Sequence, residues 1–120
     1  MIEESNDAKG VGGIVGSVPE TGISGEISHN YNIGEIEITG TGVTDVGGAI
    51  GHYETTTFDI NHNYYEQGKA NVTLNNLGVA LAESEMKLQS FVDMLNEGLA
   101  STVWEIVTGE NNGYPVLKDN

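Results

Sequence analysis

Two motifs in this chain each occur twice, in the same order. VGGIVG (11–16) returns as VGGAIG (46–51), 35 positions on. ISHNYNIG (27–34) returns as INHNYYEQG (60–68), with His29-Asn30-Tyr31 and His62-Asn63-Tyr64 33 apart. A constant order of motifs with slipping spacers is what stacked units joined by loops of variable length produce. One such unit cannot bury its apolar face alone, whereas a second unit stacked on it makes a continuous core.

Within each unit the apolar residues alternate. Ile27, His29 and Tyr31 are interleaved with Ser28, Asn30 and Asn32, and Ile36 and Ile38 with Glu35 and Glu37. Period-two alternation marks half-buried strands. FDINHNYY (58–65) and ANVTL (70–74) play the same parts in the second copy, and PETGISG, TGTGVTD and EQGK between them are turn material. The expected fold is therefore mainly β: a short β-solenoid (β-helix-like) of two units, with rungs about 4.8 Å apart. Gly12, Gly13, Gly16 and Gly47, Gly48, Gly51 then mark corners and close approaches of backbone to backbone. A phosphate-binding loop is excluded, because GGIVG lacks a Lys-Ser/Thr ending and SVPETG after it opens no helix.

After the repeats the period changes. Leu88, Phe91, Val92, Leu95 and Leu99 fall at helical spacing, with Glu83 and Glu85 suited to a helix start and Gly98 to the position past its end. STVWEIVTG and YPVLK read as a hairpin around GENNG. The organisation predicted is a leader segment at 1–9 that supplies no rung, two repeats at 10–74, and a capping segment at 75–120. That cap has one helix at about 83–97 and a hairpin at about 102–117. A lid is expected because the bare end of a solenoid exposes unpaired N–H and C=O groups over an apolar hole.

Composition removes several function classes. The chain has 120 residues, 18 of them acidic against 4 lysines and no arginine, for a net charge of −14. That charge opposes nucleic acids, anionic membranes and polyanionic sugars, and serves solubility. No Asp-x-Asp-x-Asp loop is present to bind calcium. The absence of cysteine excludes disulfides, zinc-thiolate sites and Cys nucleophiles. No apolar run is long enough for membrane insertion, and MIEESNDAKG lacks the regions of a signal peptide.

VGGIVG, ISHNYNIGEI, VGGAIG and INHNYY resemble the GLUG-motif repeats of large bacterial cell-surface and secreted proteins. AESEMKLQSFVDMLN with Trp104 and NGYPVL (112–117) resembles the segment that ends such arrays, so the likeness covers roughly residues 10–117. The chain departs from the family's frequent Asn-Cys-Tyr at His29-Asn30-Tyr31 and His62-Asn63-Tyr64. It also carries Ala82, a poor N-cap, where the family often has Thr or Ser. The resemblance implies an extracellular or cell-surface location and a stalk, spacer or adhesin role. It carries over no catalytic residues, and it makes the chain a C-terminal fragment of an array whose partners are neighbouring repeats.

The candidate chemistry is sparse. His29 and His62 occupy equivalent positions on adjacent rungs, which raises a shared metal, but third and fourth ligands are lacking and ladder side chains are the expectation. Asn30 and Asn63 are expected to hydrogen-bond along the stack. Tyr31 and Tyr64 fall on the face of Ile27 and Ile60, leaving Tyr53 and Tyr65 as candidate contacts for a neutral glycan or a host surface protein. No Gly-x-Ser-x-Gly elbow exists, and a β-helix polysaccharide-active enzyme would want an Asp cluster and a basic residue that the chain does not supply. The NVT sequon at 71–73 reads as accidental. The function expected is a non-catalytic, cofactor-free terminal repeat module, a structural spacer or adhesin stalk. The alternatives are a glycan- or host-protein-binding module and, third, an enzyme fragment.

Overall fold

The computed structural model describes residues 2–3, 9–18, 25–39, 42, 44–53, 58–75 and 77–118, with the backbone path alone for 2, 3, 9, 11, 17, 18, 53 and 58. Among the described residues the fold is mainly β with two short α-helices. The first pass carries β1 (Ile2–Glu3), β2 (Lys9–Gly12), β3 (Val15–Val18) and β4 (Gly25–Asn32). The second carries β5 (Glu37–Ile38), β6 (Thr44–Gly47), β7 (Ile50–Tyr53) and β8 (Phe58–Glu66).

Each strand of the first pass pairs in parallel with its counterpart in the second. Val11 faces Val46 and Val15 faces Ile50, an offset of 35. Ile27 faces Ile60 and Tyr31 faces Tyr64, an offset of 33. These are the offsets at which the sequence motifs recur. Ile2 and Glu3 pair with Glu37 and Ile38. The opening residues, expected to supply no rung, therefore contribute strand.

In the two long strands, β4 and β8, alternation is interrupted at one residue each. His29 and His62 adopt φ of 58° and 53°, the left-handed region that non-glycine residues seldom visit. The kink shifts every later side chain to the opposite face. Ile27 and Ile60 accordingly pack with Ala49, Ile50 and Tyr65, whereas Tyr31 and Tyr64 pack with Met86, Phe91, Leu95 and Tyr114. The expectation that Tyr31 and Tyr64 share a face with Ile27 and Ile60 assumed an unbroken strand and is corrected here. A third, smaller cluster joins Ile36 and Val46 to Ile38, Ala70 and Leu74.

Beyond the second pass the strand pattern ends. ANVTL (70–74), expected as a strand, forms only an isolated bridge from Ala70 to Ile36. The chain returns to the sheet at β9 (Val79–Leu81), which pairs in parallel with Tyr64, Tyr65 and Glu66 of β8.

The single helix expected over 83–97 is two, α1 (Glu83–Met86) and α2 (Gln89–Asn96), separated by an extended Leu88 at φ −102°, ψ 152°. Met86 and Phe91 are both fully buried. Five residues apart on one continuous helix they would point about 140° from each other. The break lets both face the core and turns Leu88, placed in the apolar stripe by its spacing, out to solvent. Ala82 has no side-chain oxygen to cap α1, but its own N–H is held by Glu85 Oε1 at 2.8 Å. Gly98 follows α2 at φ +82°. The last two strands, β10 (Trp104–Glu105) and β11 (Val116–Leu117), form the antiparallel hairpin.

Candidate functional site

The paired glycines do two different jobs. A Cβ on Gly12 would strike the carbonyl oxygen of Val15, and one on Gly47 that of Ile50, so the first glycine of each pair permits backbone to meet backbone across a corner. A Cβ on Gly13 would collide with the Asn32 amide and one on Gly48 with the Tyr65 ring, so the second glycine receives a side chain. Gly16 approaches the Gly10 carbonyl, and Gly51 is buried with its carbonyl accepting from Asn75 Nδ2 at 2.8 Å.

Tyr65 fills the Gly48 slot with 8 % of its surface exposed. It is core, and the proposal of an exposed sugar-stacking face at Tyr65 is corrected: the slot exists because glycine leaves room for the ring. The side chain of Tyr53, the other candidate contact, lies outside the described residues.

Two ladders run between the passes. Asn30 Nδ2 donates to Asn63 Oδ1 at 3.1 Å, and the buried Asn63 donates from its own Nδ2 to the Ile27 carbonyl at 2.8 Å. The rings of His29 and His62 stack with centroids 4.8 Å apart and planes within 10°. Parallel rings aim their nitrogen lone pairs side by side rather than at a common point, whereas two Zn–N bonds of about 2.1 Å require convergence. The nitrogens are engaged elsewhere: His29 Nδ1 meets the Leu95 carbonyl at 2.8 Å, and His62 Nδ1 and Nε2 meet Asn61 Oδ1 at 3.0 Å and Glu97 Oε1 at 2.9 Å. Among the described residues no group of three or more His, Cys, Asp or Glu is placed to hold a metal ion. The histidine ladder instead ties both passes to the C-terminal end of α2. Trp104 Nε1 adds a bond to the His29 carbonyl at 3.1 Å, and Asn96 accepts from the N–H groups of Val103 and Trp104.

The far side of the second pass is closed by groups that sequence reasoning missed. Asn71 Oδ1 accepts from Ile38 N–H at 2.8 Å and its Nδ2 donates to Ile38 C=O at 2.9 Å, so one side-chain amide completes both backbone groups of a β5 residue. Asn75 donates from its backbone to Val46 C=O at 2.8 Å, and from Nδ2 to the carbonyls of Ile50 and Gly51 at 2.9 and 2.8 Å. Its Oδ1 accepts from Leu77 N–H at 3.0 Å. β9 covers β8. The available signal was Asn71 and Asn75 in NVTLNN, shortly after the second repeat motif, since a side-chain amide has the donor and acceptor of a peptide group.

No family model matches this chain. No curated protein or solved structure is significantly similar to it either.

Where the cap meets β8, the buried Glu66 accepts from the Tyr114 hydroxyl and lies 3.4 Å from Lys69 Nζ. Burial, and then the hydrogen bond to Glu66, push the Tyr114 hydroxyl far above the usual phenol range. Burial also raises Tyr31, against the lowering effect of Asn111, and it raises Tyr64, where Glu97 adds to the effect. Beside them lies an open cleft of about 430 Å³ lined by Ile33, Lys69, Glu83, Lys87, Asn112 and Tyr114. Its two lysines are already engaged, Lys69 with Glu66 and Lys87 with Glu83 at 2.8 Å and with the face of the Tyr114 ring. The hydrogen bond and charge of Lys87 hold the Glu83 carboxyl below the usual carboxylate range.

Proposed function

We propose that this chain is a non-catalytic structural module, a short β-solenoid that ends a stack of coils. The observation that carries the reading is the finish of one end. Every strand of the second pass has a partner on its far side: β5 has Asn71, β6 and β7 have Asn75, and β8 has β9. A bare parallel edge recruits further strands, and covering it with side-chain amides and an added strand stops that growth.

The mechanism is mechanical. Parallel pairing and the Asn and His ladders lock successive passes, the cap terminates the stack, and a charge of −14 keeps the module soluble. The resemblance to GLUG-type arrays makes a bacterial cell-surface or secreted protein the natural setting, with the module as spacer or adhesin stalk and its neighbouring repeats as partners. The burial of Tyr65 takes away one of the two aromatic residues on which a glycan-binding reading relied.

The test compares the full chain with its residues 1–74 by sedimentation velocity. The reading expects a monomer for the full chain and self-association for the piece lacking the cap. A screen of the full, folded chain against neutral glycans and extracellular-matrix proteins runs beside it. Saturable binding there, with no self-association of the shortened piece, would replace the structural reading with a recognition one.

A further inference from the structure

We infer that the opposite edge, along β1 to β4, is a docking surface for one further parallel coil of the same unit, supplied by polypeptide N-terminal to Ile2, and that Asn30 selects it. The inference rests on the terminal-module reading and adds which edge receives the neighbour and by which groups.

The two ends of the stack are unequal. Among the described residues β1, β2, β3 and β4 pair on one side only, with β5, β6, β7 and β8. Among the described residues no amide cap and no added strand completes their other side, in contrast to the second pass. An eight-residue parallel edge with unpaired backbone groups is a template for strand addition.

The occupant is defined by continuity with the interface already formed. Asn63 Oδ1 accepts from the Asn30 amide of the preceding pass. The Oδ1 of Asn30 has no donor among the described residues. A coil carrying asparagine opposite Asn30 supplies that donor and extends the ladder by one step. His62 covers one face of the His29 ring, and an aromatic or histidine residue at the matching position of the added coil covers the other. The slots over Gly13 and Gly48 are filled from within each pass, by Asn32 and Tyr65, so the neighbour needs to supply ladder groups and strands, not core.

A second copy of the chain fits less well. A two-fold axis sets β4 against β4 in antiparallel order, which breaks the parallel amide ladder, and it brings two chains of charge −14 together.

The experiment is amide hydrogen exchange on the full chain and on a variant with residues 2–36 duplicated in tandem ahead of Ile2. In the unmodified chain, alternate amides of β4 exchange fast while those of β8 are protected. In the tandem variant the fast β4 amides slow by at least about tenfold. Asn30→Leu in the added copy removes most of that gain, and the same unit appended after Asn120 gives none. Fast β4 amides that stay fast in a folded tandem chain overturn the inference. So does an unmodified chain that already protects all of β4, whether alone or as a dimer, and this readout stands if the tandem variant fails to fold. Free exchange throughout β8 would instead remove the terminal-module reading itself.

Discussion

His29 and His62 stack ring on ring, 4.8 Å apart, and each holds the C-terminal end of α2, through the Leu95 carbonyl and Glu97 respectively. Both sit at positive φ, a conformation that costs a β-carbon-bearing residue about 1–2 kcal/mol. The two passes accept that cost because the kink sends Ile27 and Ile60 into one cluster and Tyr31 and Tyr64 into another.

His29→Ala keeps the unfavourable backbone and loses both the stack and the Leu95 bond. It should destabilise the chain by about 1–3 kcal/mol. His29→Gly should cost less, because glycine adopts the kink freely. Urea titration followed by Trp104 fluorescence measures both, since the Trp104 indole is bonded to the His29 carbonyl. A glycine variant no better than the alanine one would mean the kink is unstrained.

Asn75 is asked for its amide, not merely its size. Its Nδ2 faces two carbonyls, Ile50 and Gly51, and its Oδ1 faces Leu77 N–H. Asn75→Ala leaves these groups without partners and should cost about 1–3 kcal/mol. Asn75→Asp is nearly isosteric yet places a carboxylate oxygen against two acceptors, so it should be the worse of the two at pH 7. Urea midpoints decide. An aspartate variant as stable as wild type would show that water, not the amide, satisfies the corner.

Gly47 and Gly48 differ in what a methyl group would strike. At Gly48 the obstacle is the Tyr65 ring, whereas at Gly47 it is the backbone carbonyl of Ile50. Overpacking of this kind costs about 1–3 kcal/mol. Tyr65→Ala, which removes the ring atoms that the methyl would strike, should therefore relieve Gly48→Ala in a double-mutant cycle and leave Gly47→Ala unrelieved. Equal coupling in both cycles would refute the division of labour between the two glycines.

The sequence made the parallel pairing legible, because the motif offsets of 35 and 33 reappear as strand register at Val11–Val46 and Ile27–Ile60. It made the helical stripe legible at Phe91, Val92 and Leu95, and the hairpin at Trp104–Leu117. Faces were misread wherever the backbone left the strand. Alternation assumes extended φ at every position, so the positive φ of His29 and His62 reversed the reading of the tyrosines that follow and left Tyr65 outside the core. The break at Leu88 is likewise a tertiary choice, made so that Met86 and Phe91 bury together. Asn71 and Asn75 were hidden by β-formers around them, since a side chain that imitates a peptide group leaves no periodic trace.

Tyr114 gives the fold an alkaline limit. Its hydroxyl donates to the buried Glu66, and burial followed by that hydrogen bond raises its pKa in the folded chain well above the value of about 10 expected when unfolded. Above pH 10 the unfolded chain therefore releases this proton while the native chain keeps it. With more protons bound in the native state, stability falls as pH rises. The contribution is complete below about pH 10 and declines above it, by at most about 1.4 kcal/mol per pH unit for one group. Tyr31 and Tyr64, raised in the same direction, add to the decline. Tyr114→Phe should be less stable than wild type at pH 7, by about 1–3 kcal/mol for the lost bond to a buried carboxyl. Between pH 9 and pH 11 it should lose less further stability than wild type. Urea unfolding at pH 7, 9 and 11 on both chains measures the two slopes, and parallel slopes would place the alkaline transition in groups other than Tyr114.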